Sequence, residues 1–231
     1  MRAQSVAAVL RHAVSAGEYA PGTKLNEVAV AEKLGISRNT LREGFATLAA
    51  DGIIDRIPNR GVFIASPTSD DILSLYRARA VIEPGALQWG DALDVDTLDR
   101  IVADAEASVS AASVASSAAL AASDTSAASA EAEAPVPTPA ATALANQLFH
   151  RTVVEAAGSA LLNEEMDRLL ARMRLVFLTV ERVRPGLHSD FVPVNRQIVT
   201  LLQAGDRAGA AEALQVSLVK TGTSLASTLR G

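Results

Sequence analysis

Arg38, Asn39, Thr40 and Arg42 crowd the start of the stretch LGISRNTLREGFATLAADG, residues 34–52. All four are hydrogen-bonding side chains, and they fall on the first turn of a helix predicted over Arg38 to about Ala50. Ser37 is the predicted N-cap, its hydroxyl taking a free backbone N–H, and Gly52 ends the run. Leu41, Phe45 and Leu48 follow at i, i+4 and i+7, one inward stripe, so Asn39, Thr40 and Arg42 point away from it. A helix N-terminus offers free N–H groups and a positive dipole, both suited to phosphate. Arginine pairs with guanine O6 and N7, and asparagine with adenine, in the major groove. The chemistry these types and spacings predict is recognition of duplex DNA.

A helix that reads a groove must be held at an angle by its neighbours. Gln4 to Ala16 carries Val6, Val9, Leu10 and Val14 at helical spacing and is predicted to close at Gly17. The loop GEYAPGTKL contains the turn signal Pro21-Gly22. A second short helix, NEVAVAEKL, starts at Asn26 and stops at Gly35. After the third helix, IIDRI and VFIA read as strands of a β-hairpin joined by Pro58-Asn59-Arg60-Gly61. Asn59, Arg60 and Gly61 then sit at the tip of a wing that approaches the adjacent backbone or minor groove.

Beyond Pro67 the chain reads as almost wholly helical. The first helix runs from Ser69 to Leu87, with Pro84 expected to kink or end it. Helical stretches follow at 93–107, 143–157, 160–183 and 192–229, the last interrupted near Gly205-Asp206. Between Ala107 and Ala134, 21 of 28 residues are Ala or Ser, and PVPTPAA comes next. That composition reads as a flexible insertion at about 107–142, whose alanines can prolong a helix at either end. The predicted fold is mainly α: a winged helix-turn-helix domain over 1–66 and an all-α helical bundle over 67–231.

Charge divides the same way. Residues 1–66 hold eight Lys/Arg against six Asp/Glu, whereas 67–231 hold thirteen against twenty. A mildly positive end approaches phosphates while the acidic remainder does something else. There is no cysteine, which removes disulfides, thiolate metal sites and cysteine nucleophiles together. No apolar run reaches the roughly 20 residues a bilayer requires. Charged residues spread through the N-terminus argue against a signal peptide, so the expected location is cytoplasmic, with no membrane partner.

The residues from Gly17 to Ala65 resemble the winged helix-turn-helix of GntR-type bacterial transcriptional regulators. The likeness includes the PG turn, the L-x-E pattern, the SR-x-x-(V/L)RE core, the L-x-x-x-G-(I/L) helix end and the RG wing. It implies DNA binding by Ser37, Arg38, Asn39, Thr40, Arg42, Asn59, Arg60 and Gly61. One departure is the second helix, VAVAEKL, which lacks the basic residue some members carry and implies a narrower contact set. The bland alternative for Arg38 and Arg42 is a solvated face, with Arg42 paired to Glu43 or Glu27. Glu43 is read as structural, since a carboxylate facing phosphates repels them.

LYRARAVIEPGAL, ANQLFHRTVVEAAGSALL and VNRQIVTLLQAGDRAGAAEALQVSL are similar to the helical ligand-binding (FCD-type) domain of the FadR subfamily. Many of its members bind a divalent metal through one Asp and three His. Here those positions carry Asn146, His150, Asn195 and Ser217, so one ligand of four remains. No tightly held metal is expected, His150 alone leaving weak binding at most. His188 is either a replacement ligand or a loop histidine. Asn146, His150, Asn195 and Ser217, with Arg79, are expected instead to orient a small organic effector, a metabolite, within apolar walls. The plain alternatives are a core His150 bonded to Asn146, an Arg79–Glu83 ion pair, and a solvated face for Arg172 and Arg174.

The resemblance implies a homodimeric DNA-binding regulator, a repressor relieved by its ligand, on a pseudo-palindromic operator. A ligand-independent repressor whose helical domain only dimerises is the runner-up. An enzyme is disfavoured. With three histidines in all and no cysteine, neither a nucleophile–base pair nor a full metal site assembles.

Overall fold

The computed structural model describes residues 3–15, 18–122 and 139–230. The chain forms two compact units, one of Met1–Arg79, Glu164–Pro185 and Val219–Gly231, the other of Ala80–Asn163 and Gly186–Leu218.

The first unit begins with α1 (Ala3–Ser15), whose predicted cap at Gly17 lies outside the described residues. Helix α2 (Glu27–Leu34) is closed at both ends by its own sequence. The Asn26 side chain accepts from the N–H groups of Val28 and Ala29, and Gly35 turns the chain at φ 62°. Ser37 then caps α3 (Arg38–Ala50), which buries Leu41, Phe45 and Leu48. Strands β2 (Ile54–Ile57) and β3 (Gly61–Ile64) form the predicted hairpin.

The loop before α2 holds a strand that its sequence does not announce. Lys24–Leu25 is β1, antiparallel to β3, which makes a three-stranded sheet of order β1-β3-β2. Two residues are too few to display alternation. The pairing is enforced from outside, by Leu25 burying its side chain in the core while Ile64 donates to the Thr23 carbonyl at 2.8 Å.

The core of this unit gathers Val6, Leu10 and Val14 of α1, the stripe of α3, and Ile53, Ile54, Val62 and Ile64 around the sheet. It also takes Ala171 and Leu175 from α7 (Ala160–Val180). Leu175 is 1% exposed, so the head is finished by a residue from far down the chain.

The second unit contains α5 (Val95–Ala122), α6 (Pro139–Glu155), a 3-10 turn at Leu187–Phe191 and α8 (Val192–Gln203), with α5 packed on α6 and on α8. It shares α4 (Ser69–Trp89) and α9 (Arg207–Thr228) with the first unit. The alanine-rich stretch prolongs α5 to Ala122, a helical end to what composition alone reads as flexible, while its residues 123–138 lie outside the described ones. Alanine has the highest helix propensity, and that suffices at the edge of a packed helix.

Pro84 does not end α4. A proline removes one N–H and leaves the carbonyl four residues earlier without its helical donor. That carbonyl belongs to Ala80, and the Gln215 side-chain amide of α9 donates to it at 3.3 Å. Among the described residues no helix is long and apolar enough to cross a membrane.

Candidate nucleic-acid interface and polar interior

Ser37 Oγ accepts the Thr40 N–H at 3.1 Å and lies 2.9 Å from the Thr40 hydroxyl, so the first turn of α3 is rigidly capped. The side chains of Arg38 and Arg42 are 59% and 53% exposed. Both are gathered by one carboxylate on the preceding helix. Arg42 Nε donates to Glu27 Oε2 at 2.9 Å, and an Arg38 guanidinium nitrogen stands 3.8 Å from the same oxygen. Glu43 stands apart from this pairing and accepts from Asn39 Nδ2 at 3.4 Å. Exposed pairs of this kind contribute about 0–1 kcal/mol, little enough for a phosphate or a base edge to displace them.

At the wing tip, the Arg60 N–H closes a turn on the Ile57 carbonyl at 3.1 Å. Pro58 sets the second position and Asn59 adopts φ 60° at the third, the combination a type II turn requires. Arg60 lies over Phe63, its guanidinium 5.8 Å from the ring centroid. Lys24, brought opposite Phe63 by β1, places its ammonium 5.8 Å from the same ring. The wing therefore carries a second cation that sequence reasoning missed. Its only signal was a lysine beside an apolar residue after the PG turn.

At the far end of α3, Asp51 is 8% exposed and is held by Arg11 of α1 and by Arg168 Nε of α7 at 3.5 Å. Arg172, one turn further along α7, is half-buried against Gly52, where a β-carbon would come within 3.0 Å of its Nε. The solvated face expected for Arg172 is thus a packed one, and Arg174 is likewise half-buried. Helical spacing says which residues share a face but not what covers it.

In the second unit, His150 Nδ1 lies 2.7 Å from Glu83 Oε2, with both side chains buried. The expected Asn146 partner is instead committed to Asn195, whose Nδ2 donates to Asn146 Oδ1 at 3.0 Å. The cavity beside these two asparagines has a volume of about 10 Å³, bounded by Ile101, Val102, Phe149 and Val192 among others. Ser217 is half-buried on α9. His188 is not a loop residue exposed to solvent; it is buried in the 3-10 turn, edge-on to Phe191. In the first unit Arg79 is 2% exposed, with its guanidinium 5.1 Å from the Tyr76 ring centroid.

This donor set does not fit a transition metal. It offers one imidazole already bonded to the Glu83 carboxylate and two amides bonded to each other, and among the described residues no three or more His, Cys, Asp or Glu form a group that could hold a metal ion. Zinc and its neighbours are held by several imidazole, thiolate or carboxylate donors.

Residues 2–64 match the model for the bacterial regulatory proteins of the gntR family, and residues 100–219 match the FCD domain. The chain belongs to the GntR family and carries an FCD domain. All eight residues of the expected DNA contact set fall in the GntR match. Asn146, His150, Asn195 and Ser217 fall in the FCD match, while Arg79 and Glu83 precede it. An HTH-type transcriptional regulator from the TAR-I ttuE-ttuC' intergenic region of Agrobacterium vitis is 28% identical over 94 residues, 41% of this chain and 55% of that protein. The HTH-type transcriptional regulator YdhC of Bacillus subtilis is 30% identical over 79 residues, 34% of this chain and 35% of that one. The chain thus matches between about a third and about half of the length of these curated relatives. A GntR transcriptional regulator from Rhodococcus sp. RHA1 superposes with a TM-score of 0.75 at 26% identity, covering 96% of both chains.

Proposed function

We propose that this GntR-family chain is a DNA-binding transcriptional regulator of the FadR subfamily. It works in the cytoplasm as a homodimer, placing two α3 helices in successive major grooves of a pseudo-palindromic operator about 34 Å apart. Residues 1–66 are its DNA-binding domain and 67–231 its effector-binding and dimerisation domain. The observation that carries this reading is the capped first turn of α3, with exposed Arg38, Asn39 and Arg42. Ser37 and Thr40 hold that turn, and Asn59, Arg60 and Gly61 present the wing. Exposed Val81 and Trp89 on α4, 76% and 78% accessible, give a second copy an apolar face. Membership in a family of regulatory proteins supports regulation rather than catalysis.

A small metabolite bound by Arg79, Asn146, His150, Asn195 and Ser217 relieves repression in this reading, by binding one arrangement of the dimer more tightly than the other. A specific observation favours the runner-up, a repressor without ligand. Asn195 donates to Asn146, and the cavity beside them, about 10 Å³, has room for roughly one water.

Selection of binding duplexes from a random pool by the full-length protein tests the core of the proposal. A shared motif with two-fold symmetry is the expected result. Enrichment of no sequence at all would sink it. Native mass spectrometry of the purified protein separates the two regulatory readings: an organic adduct on a dimer supports the metabolite, and a bare dimer supports the constitutive repressor.

A further inference from the structure

We propose that Arg168 and Arg172 of α7 are positioning residues for the recognition helix, setting the pose of α3 by gripping its C-terminal end. The inference rests on the reading of α3 as the DNA-reading element and adds residues that touch no DNA.

Three observations on one helix converge. Leu175 and Ala171 of α7 lie in the same core as Leu41, Phe45 and Leu48 of α3, so α7 forms a wall of the winged head. Arg168 Nε stands 3.5 Å from Oδ1 of Asp51, while Arg11 takes Oδ2 of the same carboxylate. Asp51 is the C-cap of α3 and is 8% exposed, so its charge is a fixed anchor rather than a solvated one. Arg172 presses its Nε and Cδ on Gly52, the next residue, and reaches Asp71 of α4 at 3.8 Å. Gly52 has φ 68° and lies within the close approach of Arg172, two reasons for it to lack a side chain.

A helix clamped at one end by charge and along one face by apolar packing turns about that end. The residues that read bases are at the opposite end, on the first turn, where a small change of angle becomes the largest displacement. A cleft of about 120 Å³ bounded by Gly52, Asp55, Ser66, Asp71 and Arg172 leaves space beside the grip for such an adjustment. Arg168 acts on the α3 cap by charge, through Asp51, and Arg172 by its close approach to Gly52.

The test is the ratio of affinities for a duplex selected by the wild-type protein and for random-sequence duplex, measured on the full chain at several salt concentrations. Non-specific binding rests on phosphates and tolerates a misaimed helix, whereas base readout does not. Arg168→Gln is expected to lower the ratio about tenfold with an unchanged salt slope, and Arg168→Lys to restore most of it. Asp51→Asn, which keeps the shape of the cap, should give the same loss, so a fold defect in one variant does not decide the matter. A ratio that stays at the wild-type value in both Arg168→Gln and Asp51→Asn would overturn the proposal. A salt slope that falls by about one in Arg168→Gln would also overturn it, by showing a phosphate contact. Failure of the wild-type protein to select any duplex removes the function itself, an outcome distinct from these.

Discussion

Arg42 Nε and Glu27 Oε2 meet at 2.9 Å, so the guanidinium aimed outward from α3 is bound, in the free chain, to a carboxylate of the helix before it. Glu27 fixes the side chain in an extended pose and partly cancels its charge. On the proposed function, loading the DNA then means exchanging one weak partner for another rather than ordering a loose side chain.

Arg42→Ala should weaken binding to a selected duplex by about 1–3 kcal/mol and flatten the preference at one base position. Glu27→Gln should act in the other direction on affinity, tightening binding to selected and random duplexes alike, because it removes a negative charge from the approach of the phosphates. Anisotropy titrations of both variants check this. Operator affinity unaffected by Arg42→Ala at moderate salt would dismiss α3 as the reading helix.

The wing makes a different kind of contribution. Lys24 and Arg60 each place a cation 5.8 Å from the centroid of the Phe63 ring. Replacing either by alanine should lower affinity about equally for all sequences and reduce the salt slope by about one. A loss confined to one sequence would instead assign that residue to base readout.

Much of α3 was legible because everything that makes it is local: a serine cap, a stripe at i, i+4 and i+7, and a glycine stop. The hairpin was legible for the same reason, its turn residues lying between two β-branched runs. What was not legible depends on partners distant in sequence. Lys24–Leu25 becomes a strand only because β3 passes beside it. Pro84 stays inside α4 because an amide 135 positions from Ala80 takes the freed carbonyl. His150 finds Glu83, 67 positions away, rather than Asn146 one turn before it, because Asn195 has claimed Asn146.

That interior pair has a measurable weight. His150→Ala takes a hydrogen-bonding partner from Glu83, which is 0% exposed. The expected cost is roughly 1–3 kcal/mol in chemical denaturation. A variant as stable as the parent would mean that Glu83 is satisfied without the imidazole.

Acid should loosen the start of α4. The hydroxyl and N–H of Thr68 both donate to Asp71 Oδ2, at 2.6 and 2.9 Å, and hold its carboxyl below the ordinary value of 3.8. Because the folded value is the depressed one, the stabilisation is present above the unfolded value and is lost as pH falls through the folded one. Thr68→Ala should therefore cost stability near neutral pH, with a difference from wild type that shrinks in the acid limb below about pH 4. Melting curves across that range check it, and a difference constant with pH would place the effect in helix capping alone.

Leu175 closes the core that Val6 opens, and this has a consequence for the order in which the molecule is made. The ribosome releases α1, α2, α3 and the wing first, yet the wall they lean on is still untranslated. At roughly 5–20 residues per second, the stretch from Ile64 to Leu175 takes on the order of ten seconds to emerge. Through that interval the nascent head has an apolar flank facing water, and the end of α3 is held by Arg11 without Arg168. The core around α3 is thus complete only after most of the chain exists.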